Sequence, residues 1–320
     1  MWLRFGQKGS VGRAARGLSH AIGLDGKAAP QVHQKIAGRK RFYKHVGVRA
    51  LNEKELREVH AKEETKWICE LPMASGGGAD STEHLYCVTL DGRSLRTPGR
   101  HPMIIPSEAL AWAIASEWDA QKDDKRGIQP ASMPLMSLFS TAIDQIALDA
   151  THARRTVLSY LPTDSALFFT SEDDRILLKK QLDALGPVLS RMKSDAGLDL
   201  KTTDQMTMRI DQDKAISDKV ESIVRQLDPF ALACLQCMTM ECKSIVLSLA
   251  FLFNFIDLKQ IKNASRIEEE FQVEIWGVVE GGHDMDRLNN SVSLSSAATF
   301  LGMLTATVPA HYEPLRNKKM

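Results

Sequence analysis

This 320-residue chain lacks both an excess of charge and the common motifs of catalysis. Lysine and arginine total 41 against 40 aspartates and glutamates, so the chain has no overall charge that would attract nucleic acid or an anionic membrane. It contains no G-x-x-x-x-G-K-[ST], G-x-G-x-x-G, H-E-x-x-H or G-x-S-x-G sequence, and its histidines are scattered without metal-ligand spacing. These absences argue against an enzyme, and we predict no catalytic residue, no metal and no cofactor.

Long apolar runs are also missing. The longest, Ile245 to Ile256, has 12 residues and includes Ser248 and Asn254, whereas a helix that crosses a bilayer needs about 20 apolar residues. We therefore expect a buried helix here and no membrane insertion. With 43% hydrophobic and 25% charged residues, the chain has the composition of a packed globular protein.

Cysteines are few, and they do not form a metal-binding pattern. Of the five, Cys234 and Cys237 make a C-x-x-C inside an apolar helical pattern, with no second pair and no nearby histidine. Free cysteine is among the most buried residue types. We interpret these residues as core thiols of a protein from a reducing compartment.

Acidic residues are absent from the first 24 positions, which carry Arg4, Lys8, Arg13 and Arg16 among scattered apolar residues. An arginine-rich, acid-free leader without a continuous apolar core is typical of a mitochondrial transit segment. We predict such a segment over residues 1–29 and exclude it from the fold. A disordered basic arm is the alternative interpretation.

The sequence pattern of the rest of the chain changes along its length. Short strand-like segments lie between about Arg41 and Pro106, and Asp91-Gly92 between two of them predicts a hairpin. A charged stretch and a glycine-rich stretch indicate an insertion at about 52–83. Helical periodicity begins at about Pro106, and we predict an N-terminal domain over 40–130 and a helical domain over 131–310. Strands followed by helices predict an α+β protein with a small N-terminal α+β domain and an all-helical domain.

One further helix is predicted within 40–130. In PSEALAWAIASEWDAQ, Ser107 is placed to cap the helix, and Leu110, Ile114 and Trp118 recur on one stripe. That stripe is expected to pack against the rest of the protein.

The stretch SRIEEEFQVEIWG, residues 265–277, concentrates four glutamates on another predicted helix. Ser265 and Glu268 fit a capping box, and Gly277 suits the helix end. Ile267, Phe271 and Ile275 form an apolar stripe with Glu270 and Glu274 along its edge, whereas Glu269 shares a second face with Val273 and Trp276. From the residues alone, a solvated charged face, a protein contact and an acid/base site all stay open.

Several phrases together resemble one family, the assembly factors that chaperone the alpha subunit of the catalytic sector of mitochondrial ATP synthase. They are RFYKHVGV, LDGRSLRTPGRHPMIIPSEALAWAIASEWDAQ, MPLMSLFSTAID, YLPTDSALFF and EEEFQVEIWG. The block from Leu90 to Gln121 is the most specific of these. The chain departs from the family at several positions, among them Lys243, where the family usually has a glycine.

The resemblance implies a fold, a function and a set of contact residues. The fold is a small α+β domain followed by an orthogonal helical bundle, and the location is the mitochondrial matrix. The function is to bind the unassembled alpha subunit, as a monomer and without catalysis, until it pairs with beta. The implied partner-binding residues are Glu269, Glu270, Gln272 and Trp276. The alternative is a stable accessory subunit of a mitochondrial complex that reuses the same fold.

Overall fold

The structure, a computed structural model, describes residues 37–61, 85–205 and 207–307. The predicted transit segment, the glycines at 76–78 and most of the predicted insertion lie outside these ranges. The described residues form a small antiparallel sheet followed by helices, and this confirms the α+β class. The domain boundaries at 40–130 and 131–310 stay a prediction.

The sheet contains strands β1 (Val46–Ala50), β2 (Tyr86–Leu90) and β3 (Arg93–Ser94) in that order. Val48 pairs with Val88 at the centre of the antiparallel β1–β2 ladder. The predicted hairpin is confirmed, because Asp91 and Gly92 connect β2 to β3 with φ angles of 47° and 78°. Positive φ at both turn residues matches the twist of the two strands.

Eleven α-helices lie in the described ranges, together with short 3₁₀ turns. They are α1 (Glu53–Ala61), α2 (Glu108–Asp119), α3 (Pro134–Thr141), α4 (Thr151–Ser159), α5 (Arg175–Ser194), α6 (Lys214–Arg225), α7 (Pro229–Cys242), α8 (Ile245–Leu252), α9 (Leu258–Ala264), α10 (Ile267–Trp276) and α11 (His283–Thr307). A π-helical turn, Ala142–Ile146, extends α3. None of these helices is long and apolar enough to cross a membrane.

Helix α2 joins the sheet to the helical part of the protein. Ser107 caps it as predicted, because its hydroxyl accepts a hydrogen bond from the Leu110 amide. Leu110, Ile114 and Trp118 are buried, and the helix packs on β1, β2 and α3. The predicted stripe is therefore the contact between the two layers.

Helix α7 is the centre of the helical part. It is apolar around most of its circumference and is surrounded by α3, α4, α8 and α11, as expected of a fully buried helix. The ring of Phe230 lies 5.5 Å from that of Phe139 on α3 and 5.9 Å from that of Phe300 on α11. These aromatic contacts fix three helices around one point.

The apolar pattern that continues from α7 into α8 is divided at one residue. Lys243 adopts a left-handed conformation with φ of 54° and ends α7, and the Ser244 side chain then caps α8. The predicted burial of the run from Ile245 is confirmed for all of α8 except the partly exposed Phe251. Helix α10 lies further along the chain, packs on α5 and is followed by α11.

Candidate partner-binding surface

Helix α10 contains all four predicted partner-binding residues, but it does not begin as expected. The capping box is wrong, because Ser265 ends α9 and donates its hydroxyl to the Lys262 carbonyl. Arg266 is the first flanking residue of α10 and makes no side-chain cap. Gly277 ends the helix as predicted, with φ of 85°. Two helices are thus joined by Ser265 and Arg266 alone.

Two of the glutamates attach α10 to α5. The Gln181 side-chain amide donates to Glu268 at 2.7 Å, which is the bond that replaces the predicted capping role. Near the end of α10, Glu274 accepts from the Lys180 ammonium at 2.6 Å. The same ammonium lies 5.9 Å from the centre of the buried Phe271 ring. Helix α10 is therefore held on α5 by polar contacts on both sides of an apolar anchor.

The other two glutamates surround Arg266, whose side chain is almost fully buried. One carboxylate oxygen of Glu269 lies 2.8 Å from the Arg266 guanidinium, and the other lies 3.3 Å from Lys243. Glu270 accepts from Arg266 and, on α11, from Arg287 at 2.8 Å. The bond from Arg287, followed by that from Arg266, lowers the pKa of Glu270. Glu269 and Glu270 thereby connect α10 to the end of α7 and to α11.

The last turn of α10 has a different character. Phe271 and Ile267 are buried as the predicted stripe required, but Ile275 is 54% exposed, so the stripe is wrong at that end. Trp276 is 76% exposed and Gln272 is exposed beside it. An exposed tryptophan at the end of a fixed helix is typical of a protein contact.

Three further carboxylates lie in the blocks that carry the resemblance, and each has a structural role. Glu117, in EWDAQ, accepts bonds from the amides of Leu135 and Met136 at 2.8 Å each, at the start of α3. Burial raises the pKa of Glu117 to about 7, although the two amide donors act in the opposite direction. The carboxylate satisfies amides that a helix start leaves without partners.

Asp164, in YLPTDS, has the same function at α8. It is fully buried and accepts from the amides of Ala166 and Val246 at 3.0 and 2.9 Å. Burial raises its pKa to about 6, against the opposing effects of the Ser244 hydroxyl and the amides. Asp164 therefore links the loop before α5 to the start of α8.

Asp144 holds the loop that follows β3. It lies in the π-helical turn and accepts from the Thr97 hydroxyl, the Gly99 amide at 2.7 Å and, at 2.8 Å, the Nδ1 atom of His101. A methyl group on Gly99 would lie 2.7 Å from this carboxylate. The glycine is therefore required by the close approach of the loop to Asp144.

The cysteines of the described ranges are free thiols, and Cys234, Cys237 and Cys242 lie on α7. Burial raises the pKa of Cys237 to about 12 and that of Cys234 well above its usual range. Thiols in this state are poor nucleophiles and poor metal ligands. In the part of the chain that the structure describes, no cluster of three or more histidine, cysteine or acidic side chains has the arrangement of a metal site.

Sequence reasoning identified the acidic helix but missed its partners. Lys180 and Gln181 lie 94 and 87 positions before the glutamates that they contact. Arg287 is 17 positions after Glu270. Only Lys243 could have indicated one of these contacts from the sequence, because it departs from the family pattern, and it contacts Glu269.

Comparison with known proteins gives consistent matches. The sequence profile of the ATP12 chaperone protein family matches residues 73–193, a range that contains the Leu90–Gln121 block but not α10. The mitochondrial protein atp12 of Schizosaccharomyces pombe is 26% identical over 66% of this chain and 75% of its own length. The mitochondrial protein ATP12 of Saccharomyces cerevisiae is also 26% identical, over 65% of this chain and 76% of its own length.

A solved structure extends the match to the fold. The crystal structure of Atp12 from Paracoccus denitrificans superposes with a TM-score of 0.64 and 27% sequence identity, covering 82% of this chain and 97% of that one. The superposition covers nearly all of the bacterial protein and most of this chain. Together with the sequence matches, it shows that this chain is similar in sequence and fold to proteins of the ATP12 chaperone protein family.

Proposed function

We propose that this protein is an assembly chaperone for the catalytic sector of mitochondrial ATP synthase. It binds the unassembled alpha subunit in the matrix and covers the surface that alpha later presents to beta. The family's chaperone name, the mitochondrial names of the two yeast relatives and the acid-free basic leader support this proposal. A subunit of an obligate oligomer exposes a large apolar interface, which aggregates unless another protein covers it.

The observation that carries the proposal is the exposure of Trp276 on a fixed helix. Three-quarters of this side chain is exposed, while the preceding turns of α10 are held to α5, α7 and α11 by the glutamates. A tryptophan presented on a rigid element loses little conformational entropy when a partner covers it. Such residues supply much of the free energy of binding at protein interfaces.

The proposed partner-binding residues have two different environments. Gln272 and Trp276 are exposed and face the partner directly. Glu269 and Glu270 lie at the inner edge of the same surface. Glu269 keeps one oxygen against Arg266 and shares the other with Lys243, whose side chain is 69% exposed. A basic group of alpha therefore replaces Lys243 at that oxygen on binding.

We also propose that the protein acts as a monomer and without catalysis. The glutamates that the acid/base alternative would use, Glu269 and Glu274, form ion pairs within the chain. The other carboxylates described above, Glu117, Asp144 and Asp164, accept hydrogen bonds from loop or helix-start amides. The oxygens of all these carboxylates therefore already take part in hydrogen bonds or ion pairs that stabilise the fold.

The test is to dilute denatured alpha subunit from the same organism into buffer with the full chain and to follow aggregation by light scattering. We expect suppression at near-equimolar chaperone for alpha and none for beta. Trp276→Ser should abolish most of the protection, whereas Trp112→Ser, which alters a tryptophan 50% exposed on α2, should retain it. Equal protection of both subunits, or equal activity of the two variants, would contradict the proposal.

A second pair of variants tests the acidic edge. Glu269→Gln should fold normally and protect alpha less well, because the contact to a basic group is lost. Glu274→Gln removes an ion-paired carboxylate of the same helix that faces α5 and should protect alpha as the wild type does. Unchanged protection by Glu269→Gln at an unchanged melting temperature would exclude the contact.

A further inference from the structure

The exposed apolar surface continues beyond α10, across the turn that leads to α11. Six side chains of this region are each more than half exposed, namely Ile275, Trp276, Val278, Val279, Met285 and Leu288. The Arg287–Glu270 ion pair fixes the start of α11 beside α10, so the residues between them lie at one end of the helix pair. We refer to these six residues as the turn surface.

The turn has a defined conformation. Gly277 and Gly281 have φ angles of 85° and 74°, which other residues rarely adopt. The Val279 carbonyl accepts from the amides of Gly282 and His283, and the Val279 amide donates to His283 Nδ1 at 3.1 Å. The backbone between α10 and α11 is thus held by its own hydrogen bonds, while its two valine side chains remain exposed. A preorganised apolar surface costs less conformational entropy to bind than a flexible one.

Acidic side chains surround the turn surface. Glu280, Asp284 and Asp286 are exposed, and within the described ranges none of them forms a salt bridge; Asp284 acts on Arg287 only through space, because that guanidinium is paired with Glu270. This differs from α10, where every glutamate contacts a cationic or amide side chain of the chain itself. The carboxylates around the turn are therefore available to cations of another molecule.

We propose that the turn surface binds an apolar segment of the client subunit that is flanked by lysine or arginine. This inference rests on the proposed chaperone function and names the chemistry that the client must have. Burial of the apolar side chains supplies the affinity. The surrounding carboxylates favour segments with lysine or arginine at their ends and accelerate association with the client. A second copy of this chain would place the same carboxylates against each other, and an anionic lipid surface would be repelled by them.

The first experiment uses probes that do not depend on the identity of the client. Two fluorescein-labelled peptides share one apolar core of leucine and valine and carry either lysines or glutamates at both ends. Their binding to the full chain is measured by fluorescence anisotropy at low and high salt. We expect the lysine-flanked peptide to bind about tenfold more tightly at low salt and the difference to shrink at high salt.

Variants then locate the binding. The double variant Val278→Ser with Val279→Ser should weaken binding of the lysine-flanked peptide about tenfold. Its matched control, Leu148→Ser with Ile176→Ser, removes side chains that are 62% and 67% exposed elsewhere and should leave binding unchanged. Glu280→Lys with Asp284→Lys, at the start of α11, should reverse the preference between the peptides. Glu172→Lys with Asp173→Lys, just before α5, should not.

Several results would overturn the inference. These are equal affinity for the two peptides, equal binding by the two serine variants, or a dimer in sedimentation that the valine changes dissociate. A lower melting temperature for the valine variant than for its control would mean that the chain covers this surface itself. If alpha is protected but protection is insensitive to the valine changes, the turn surface fails and the proposed function stands. If the peptide results hold and alpha is not protected, the client assignment fails instead.

Discussion

The carboxylate of Glu117 makes the stability of this protein depend on pH in a direction opposite to that of most surface acids. Burial raises its pKa from 4.5 to about 7. Between these values the folded protein binds a proton that the unfolded chain has released. The stabilisation from this group is therefore complete below pH 4.5 and is lost as the pH rises through about 7.

The magnitude follows from the width of that interval. A proton bound only by the folded state changes the free energy of unfolding by about 1.4 kcal/mol per pH unit. Across the interval this gives about 3 kcal/mol as an upper limit, because Glu117 retains some solvent contact. Glutamine has nearly the same shape and does not titrate. Glu117→Gln should therefore remove a loss of about 2 kcal/mol that the wild type shows between pH 5 and pH 8.

Urea unfolding followed by circular dichroism at intervals from pH 5 to pH 8 measures this difference. The other titrating groups are common to both proteins, so their contributions cancel when the free energies are subtracted. Glu108→Gln, at an exposed position of the same helix, controls for the loss of one negative charge. If the wild type and Glu117→Gln give parallel curves over the whole range, the carboxylate is not desolvated as described.

Two further predictions concern backbone conformation. Lys243→Gly should raise the free energy of unfolding by about 0.5–1 kcal/mol, because the relief of left-handed strain exceeds the loss of an exposed ion pair to Glu269. Thermal melting measures this change. The control Lys243→Ala loses the ion pair without relieving the strain and should not stabilise the protein. Gly99→Ala should lower the free energy of unfolding by about 1–3 kcal/mol, since its methyl group would displace the Asp144 carboxylate. A urea midpoint equal to that of the wild type would show that the loop accommodates the methyl group without loss of stability.

The elements that sequence reasoning predicted correctly are those specified by neighbouring residues. Ser107 caps α2 by accepting from an amide three residues away, and the turn at Asp91 and Gly92 forms its positive φ angles locally. The burial of α2 follows from the spacing of its apolar residues. Each of these signals is complete within one or two helical turns of sequence.

The predictions that failed depended on contacts with distant parts of the chain. Ser265 and Glu268 have the spacing of a capping box, but α9 extends to Ser265 and uses it as its own end. Glu268 instead meets Gln181 on α5. Ile275 has the periodicity of a buried residue, yet it is exposed in the last turn of α10, where the neighbouring elements no longer cover the helix. A helical wheel gives the face of a residue but not the length of the element packed against it.

The four proposed partner-binding residues of α10 lie in the EEEFQVEIWG block, but most of the turn surface lies outside the blocks that carry the family resemblance. Glu117, Asp144 and Asp164 lie in the recognisable blocks, and each accepts bonds that join separate segments. Their replacement would alter the fold before it altered a contact. The turn surface contains only Ile275 and Trp276 from those blocks, and Val278, Val279, Met285 and Leu288 follow them. On the proposal that the turn surface binds the client, the choice of client would depend on the turn and on the acids beside it, which mostly lie outside those blocks.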